Sequence, residues 1–312
     1  MADIQDNDQK TGLLLIGIGP GDVALVTGEA FEAAKMADYR RYEAYTALWP
    51  EDQLASLEKS VGTITRVMRP EVENPEELFA LARENLVALL IVGDPLQATT
   101  HVDLQLQAEE AGIYCRTIHG ISITGLVTGA IGLSNYKFGR QTTLTYPYSG
   151  WVATSPLEVI ALNYALGQHT LALLDLDPSG AGTGQQKPMT PSDAVESIKA
   201  MINKVNENID DFSLESPQDS IKVQSLKMIS SASLIEIKVV LCSDMGTKQQ
   251  SIIYTSLADL ANLPGGAMNC LVFPATTSDV EEKALLRWLK DCLLYTSPSP
   301  RDRSLSRMPS SA

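Results

Sequence analysis

Short apolar, β-prone runs alternate along this chain with longer segments whose apolar positions recur at helical spacing. Residues 12–19 (GLLLIGIG) read as a buried strand ending in glycines, and the segment 27–37 places Ala30, Phe31 and Ala34 on one helical face. Residues 73–85 predict a helix with Asn74 at its N-cap, Pro75 at the first helical position and acids in the first turn. Residues 86–93 are apolar up to a closing glycine, the pattern of a strand covered on both faces. Residues 101–112 predict a helix closed by Gly112, 114–120 a short strand, and 123–134 a helix of small residues packed close to a neighbour. This alternation predicts a parallel sheet with helices on both faces.

The rhythm breaks at 135–151, rich in aromatic and turn residues, which puts a domain boundary near 135–140. A second α/β unit follows: a helix over 155–168, a strand over 169–177, an exposed loop over 178–188 and a strong helix over 190–205. That helix starts with Thr190 as N-cap, Pro191 at N1 and Asp193 at N3, and its apolar face runs through Ala194, Ile198, Met201, Ile202 and Val205. Residues 210–220 read as polar loop, and 234–243 and 269–275 as late strands. The expected division is 11–136, 137–294 and a tail, 295–312. The tail is rich in Ser, Pro and Arg and carries +2 from Arg301, Arg303 and Arg307 against Asp302. It lacks apolar periodicity and resembles translated vector sequence, so it is expected to be disordered and non-native.

A length of 312 residues suits two domains, and 44% hydrophobic with 20% charged residues is a globular composition. No apolar run reaches the roughly 18 residues that span a bilayer, so no membrane segment is expected. The first ten residues are acidic and polar, unlike a signal or transit peptide. Four scattered cysteines form neither a CxxC pair nor a disulfide framework, which fits a reduced, cytoplasmic protein without a metal site. A net charge of −14 argues against nucleic acid as a partner and leaves a cationic ligand, a basic protein or a merely solvating surface.

Three places carry candidate chemistry. Gly17, Gly19 and Gly21 follow the first strand, but as GxGxG rather than GxGxxG, so ligand loop and plain turn both remain. The segment VGDPLQATTH (92–101) sits where a parallel strand ends, the edge at which open α/β sheets bind ligands. Asp94 there either accepts hydrogen bonds from a ligand or, with Thr99, caps the next helix. Ser122, after the following strand, has the same two readings. His101, His119 and His169 are widely separated and read as satisfied structural histidines. No GxSxG elbow or phosphate-binding loop is present.

In this order, GIGPGD (17–22), YEAYT (42–46), GDPLQATTHVDL (93–104) and IHGISI (118–123) resemble the diphthine synthase family of the tetrapyrrole-methylase superfamily. LSNYKFGR (133–140), GWVATSPLEVI (150–160), HTLALLDLD (169–177) and MTPSDAVESI (189–198) continue the likeness. It is collinear from Leu13 to Val205, weaker through 206–265, and resumes at NCLVFPA (269–275). The resemblance implies an α/β fold of two unequal domains, with S-adenosylmethionine in the cleft between them and a homodimeric assembly. It implies elongation factor 2 as protein substrate. The amino group of its 3-amino-3-carboxypropyl-histidine would be methylated successively to diphthine. Carried over position by position, the cofactor contacts fall on Pro20, Asp94, Gln97, Ser122, Ile123, Leu174, Met245 and Asn269. Pro20 stands where the family usually has Leu, and Asn269 where it usually has His.

Methyl transfer from a sulfonium is an in-line displacement that needs alignment more than a strong acid or base. The attacking amine must be deprotonated, and the sequence nominates no residue for that step. Two other readings stand beside this one: a small-molecule methyltransferase of corrin or siroheme synthesis, and a cofactor-binding relative without turnover.

Overall fold

The computed structural model describes residues 10–148, 150–180, 186–209, 212 and 215–289. The Ser/Pro/Arg-rich tail lies outside the described residues.

The first sheet is built from β1 (Gly12–Gly17), β2 (Tyr39–Glu43), β3 (Ile64–Val67), β4 (Leu86–Ile91) and β5 (Cys115–Ile118). Helices intervene: α1 (Gly28–Met36), α2 (Glu51–Val61), α3 (Arg69–Glu73), α4 (Glu76–Glu84) and α5 (His101–Glu110), with α6 (Ile123–Ala130) after β5. The strands lie in the order β3-β2-β4-β1-β5, and all four pairings are parallel. Period-two alternation sorts the two central strands onto two faces. Leu14, Ile16, Ala88 and Leu90 pack with Ala30, Ala34 and Leu57 of α1 and α2. Leu13, Leu15, Val87, Leu89 and Ile91 pack with Phe79, Leu104 and Ala108 of α4 and α5. Both faces are therefore covered, and each buried Leu or Ile contributes about 1.5–3 kcal/mol.

The second sheet contains β6 (Thr142–Leu144), β7 (Thr170–Leu174), β8 (Lys238–Ser243), β9 (Ser251–Ser256) and β10 (Asn269–Phe273). Its order is β6-β7-β10-β8-β9. Only β6 and β7 pair in parallel; the other three pairings are antiparallel. One face packs on α7 (Ser155–Ala165), α8 (Pro191–Asn208), α9 (Pro217–Ser231) and α10 (Leu257–Leu260). The other packs on α6 and on Leu285 of α11 (Asp279–Leu286), through Val127, Ile131, Leu171, Val240 and Val272. Thus α6 leaves the carboxyl edge of the first sheet and lands on the face of the second. Among the described residues no helix is long and apolar enough to cross a membrane.

Several local expectations hold and others are corrected. Thr190 and Asp193 form a reciprocal capping box, with Asp193 N donating to Thr190 Oγ1 at 3.1 Å and Thr190 N to Asp193 Oδ2 at 3.0 Å. Gly112, at φ +68°, closes α5 through bonds from Gly112 N to Glu109 O and from Ile113 N to Ala108 O. Asn74 does not cap a following helix. Its amide donates to Pro70 O and it ends α3, while Pro75 occupies the N-cap of α4 without a side-chain bond. Part of 210–220 is helix rather than loop: Ser216 and Asp219 form a capping box that starts α9.

Candidate functional site

The loops that leave β1, β4 and β5 meet as bare backbone. Gly93 N donates to Gly19 O at 2.9 Å and Gly19 N to Gly93 O at 3.3 Å, so the first glycine loop is stitched to the GDP loop. A Cβ on Gly17 would lie 2.6 Å from Gly93 O, and one on Gly120 only 2.2 Å from the same oxygen. Side chains at these positions would force the three loops apart. Trp49 Nε1 donates to Gly19 O at 3.0 Å and braces the first loop.

The GDP loop is held by its own carboxylate. Asp94 is buried; Oδ1 accepts from Leu96 N at 3.0 Å, and Oδ2 accepts from Gly120 N at 3.3 Å and lies 2.8 Å from His119 Nδ1. Asp94 therefore does not cap α5, whose N-cap residue Thr100 makes no side-chain bond, while the Thr99 hydroxyl donates to Pro95 O and accepts from His101 N at 3.5 Å. His119 is largely exposed and pairs with Asp94 rather than sitting in a core. Ser122 does cap a helix, accepting from Thr124 N at 3.2 Å at the start of α6. Thr124 Oγ1 in turn donates to Gln97 Oε1 at 2.8 Å, which couples the GDP loop to α6.

These loops and the facing edge of the second sheet enclose a cavity of about 1140 Å³. All eight residues singled out in the sequence line it: Pro20, Asp94, Gln97, Ser122, Ile123, Leu174, Met245 and Asn269. They come from loops distant in sequence, and Gly246, beside Met245, faces Pro20 so closely that a Cβ would be 2.4 Å from its Cγ. Asn269 is committed within the protein: Oδ1 accepts from Gly266 N and Ser243 Oγ, and Nδ2 donates to Gly266 O. It shapes the 265–268 turn and presents little free hydrogen-bonding capacity.

Two further features mark the cavity. Among the described residues only Ala98 (φ +57°) and Asp244 (φ +48°) are non-glycine residues with left-handed backbone, and both line it. Such conformations cost of order 1 kcal/mol each and gather at ligand sites. The lining also carries Asp175, Asp177 and Asp244 at the ends of second-sheet strands, an arrangement suited to a cationic ligand. Asp175 and Asp177 stand at the carboxyl end of the LLDLD strand, where the strand-end rule alone could have found them. Arg66, Arg69 and Tyr148 also line it, and no sequence motif pointed to them.

Behind the wall, Glu43 and His101 face each other. Glu43 Oε1 accepts from Tyr45 N at 3.2 Å and Thr46 N at 2.7 Å. Its Oε2 lies 4.0 Å from His101 Nε2, and both atoms are buried without a hydrogen-bond partner. Burial raises the Glu43 pKa and lowers that of His101, which favours two neutral groups.

Asp94→Ala is expected to lower stability by about 1–3 kcal/mol, because it leaves buried N–H groups without an acceptor. The slackened loop is expected to weaken ligand binding in the cavity about tenfold, a loss of about 1.4 kcal/mol. Denaturant unfolding and calorimetry with S-adenosylmethionine measure the two. Lost affinity at unchanged stability would instead mean that Asp94 acts on the ligand directly.

A family model described as Tetrapyrrole (Corrin/Porphyrin) Methylases matches residues 12–204. A diphthine synthase of Methanothermobacter thermautotrophicus is 30% identical over 276 residues, covering 88% of this chain and 94% of that relative. One of Methanosarcina mazei is 38% identical over 171 residues, which span 53% of this chain and 64% of that relative's length. A solved crystal structure of a diphthine synthase superposes with a TM-score of 0.70 at 27% identity, covering 89% of this chain and 95% of that one.

Proposed function

Since the chain belongs to the tetrapyrrole methylases and, within them, to the diphthine synthases, we propose that it methylates the amino group of the 3-amino-3-carboxypropyl-histidine of elongation factor 2, with S-adenosylmethionine as donor. The observation that carries this reading is the convergence of Pro20, Asp94, Gln97, Ser122, Ile123, Leu174, Met245 and Asn269 on one cavity. In this reading the chain divides into two domains, 11–136 and 137–294, with α6 of the first segment packed on the second sheet, and the enzyme works as a cytoplasmic homodimer.

The residues present suit the cofactor. The bare glycine backbones of the three loops allow close approach, and the lining carboxylates favour a cation. When bound, the cofactor supplies a methyl group activated on a positively charged sulfur. The chain's part is to align and to enclose. Met245 and Leu174 offer buried apolar surface, and the Gln97–Thr124 bond fixes the GDP loop against α6. Loops fixed on both sheets hold two reactants at near-attack distance, which is the principal requirement of an in-line displacement. The amine loses its proton before attack, and no residue is assigned to receive it.

Purified protein is expected to bind S-adenosylmethionine in calorimetry and to transfer methyl groups to elongation factor 2 bearing the unmethylated aminocarboxypropyl histidine. Counting the methyl groups by mass spectrometry gives the product. Cofactor binding with methylation of a porphyrinoid in place of the protein would reject the substrate. No binding at millimolar cofactor would reject the activity.

A further inference from the structure

Among the described residues, two cations line the cavity, Arg66 and Arg69. They are in different states. Arg66 Nη2 meets both carboxylate oxygens of Glu51, so its charge is already answered. Arg69 makes one long hydrogen bond, from Nη1 to Glu73 Oε1 at 3.4 Å. Its Nε is buried and has no acceptor. A guanidinium carries five N–H donors in a planar fork matched to a carboxylate. A buried donor without an acceptor is costly unless a ligand completes it.

Arg69 is also held in place. Its guanidinium carbon lies 5.2 Å from the centre of the Tyr45 ring, and Tyr45 is itself buried. Stacking of this kind fixes the plane of the fork and leaves its N–H edge free to bind. The surrounding wall is acidic, with Glu73, Asp175 and Asp177 all lining the cavity. A negatively charged substrate group is repelled there except where a cation with an unused N–H meets it.

The aminocarboxypropyl arm of the proposed substrate carries its amino group and its carboxylate on the same carbon. We infer that Arg69 receives that carboxylate and thereby positions the amino nitrogen for methylation. This rests on the function proposed above. Holding the carboxylate restricts the amine to a small arc, which is the alignment that methyl transfer requires. It also explains how an acidic cavity that favours a cationic cofactor admits a substrate bearing a negative group.

The test uses the full chain and three variants, Arg69→Ala, Arg69→Gln and Arg69→Lys. Each is assayed for methylation of elongation factor 2 bearing the unmethylated arm, and for S-adenosylmethionine affinity by calorimetry. Arg69→Ala is expected to raise KM for the protein substrate about 30-fold, the size of a lost charge-assisted hydrogen bond. Cofactor affinity should stay within about twofold. Arg69→Gln keeps most of the stem and a neutral hydrogen-bonding end without the charge, and should match alanine. Arg69→Lys restores a point charge without the fork and should recover part of the loss. An unchanged KM in the alanine and glutamine variants overturns the inference. So does an equal loss of cofactor affinity, which would assign Arg69 to the cofactor's own carboxylate. If the unaltered protein fails to methylate this substrate, the proposed function falls instead, and the two failures are told apart by that control.

Discussion

Replacing Glu281 by alanine is expected to destabilise the fold by about 3–5 kcal/mol, the cost of removing one partner from a buried charge network. Glu281 is nearly inaccessible. Its Oε1 accepts from Ser134 N at 2.9 Å and from His169 Nε2 at 3.1 Å. Its Oε2 accepts from Lys137 Nζ at 2.7 Å, Ser278 N at 2.8 Å and Ser278 Oγ at 3.0 Å. The His169 tautomer follows from its other side: Nδ1 accepts from Ala275 N at 3.0 Å, so the ring proton sits on Nε2 and points at Glu281. Burial alone would raise the Glu281 pKa, but bonds from Lys137, Ser278, Ser134 and His169 outweigh it and hold the carboxyl well below the usual carboxylate range. The network ties α11 to residues 134–137, where the chain passes from the first sheet to the second. Alanine therefore leaves the His169 proton without an acceptor and Lys137 with Thr276 O as its remaining partner at that junction.

The same network sets an acid limit. A carboxyl depressed in the folded state stabilises the fold fully above its unfolded value, ordinarily 4.5, and that contribution fades as pH falls through the depressed one. His169, lowered chiefly by burial, acts in the same direction from a higher starting point. The unfolded imidazole, ordinarily 6.5, takes up a proton that the folded one refuses, so stability declines as pH drops below that value. Unfolding free energy measured by denaturant should fall below about pH 6.5 and more steeply below about 4.5. In Glu281→Ala the second decline should be much shallower. A loss under about 1 kcal/mol at neutral pH, or an unchanged acid slope, would show that the pairs are dispensable.

Much of the first sheet was legible in the sequence because burial on both faces leaves an uninterrupted apolar run. The Leu86–Ile91 strand has every residue buried, and no other local pattern competes for it. The Thr190–Asp193 and Gly112 helix ends were equally legible, since capping chemistry is local. What escaped lacked either signal. The Pro217–Ser231 helix buries Val223, Ser225, Leu226 and Ile229, so part of its inner face is serine; its first turn falls in the segment that reads as loop, and the rest gives no clear helical stripe. Asn74 carried the right residue type for a cap, but a preceding turn of helix claimed it. The mixed pairing of the second sheet depends on which strands meet across the chain, and alternation within each strand does not encode that.

The candidate site shows the same division. Residues near the ends of β1 and β4 and just after β5 could be nominated because strand order brings those edges together. Their individual roles could not. Asp94 offered a ligand contact or a helix cap; in place of the cap the structure shows a bridge from its own loop to His119 and Gly120, with Asp94 in the cavity lining. Ser122 caps α6 and also lines the cavity. Arg69 had no motif to announce it. Its importance lies in a buried Nε without an acceptor, which only tertiary structure reveals.

Gly120→Ala should be a severely damaging single methyl group. Gly120 does not use left-handed backbone, so alanine meets no conformational penalty of its own. The obstacle is space: its Cβ would stand 2.2 Å from Gly93 O, 2.7 Å from Gly17 C and 2.8 Å from Gly17 Cα. These are backbone atoms of two central strand ends, so no rotamer change relieves the clash, and one loop must move away. Overpacking of this kind costs about 3 kcal/mol, at the upper end of its usual range. The displaced loop also carries Ser122 on one side and faces Asp94 on the other, so S-adenosylmethionine affinity should fall about 100-fold, or about 2.7 kcal/mol. Gly125→Ala makes the comparison fair. It lies on α6, where an added Cβ meets nothing within 4 Å, and helix propensity should make that variant slightly more stable. Calorimetric affinity and denaturant unfolding for the two variants separate the explanations. If Gly120→Ala loses stability but binds the cofactor normally, the three meeting loops are a structural joint and the cofactor sits elsewhere. If both quantities fall together while Gly125→Ala keeps them, close backbone packing at the strand ends is what shapes the cofactor's seat.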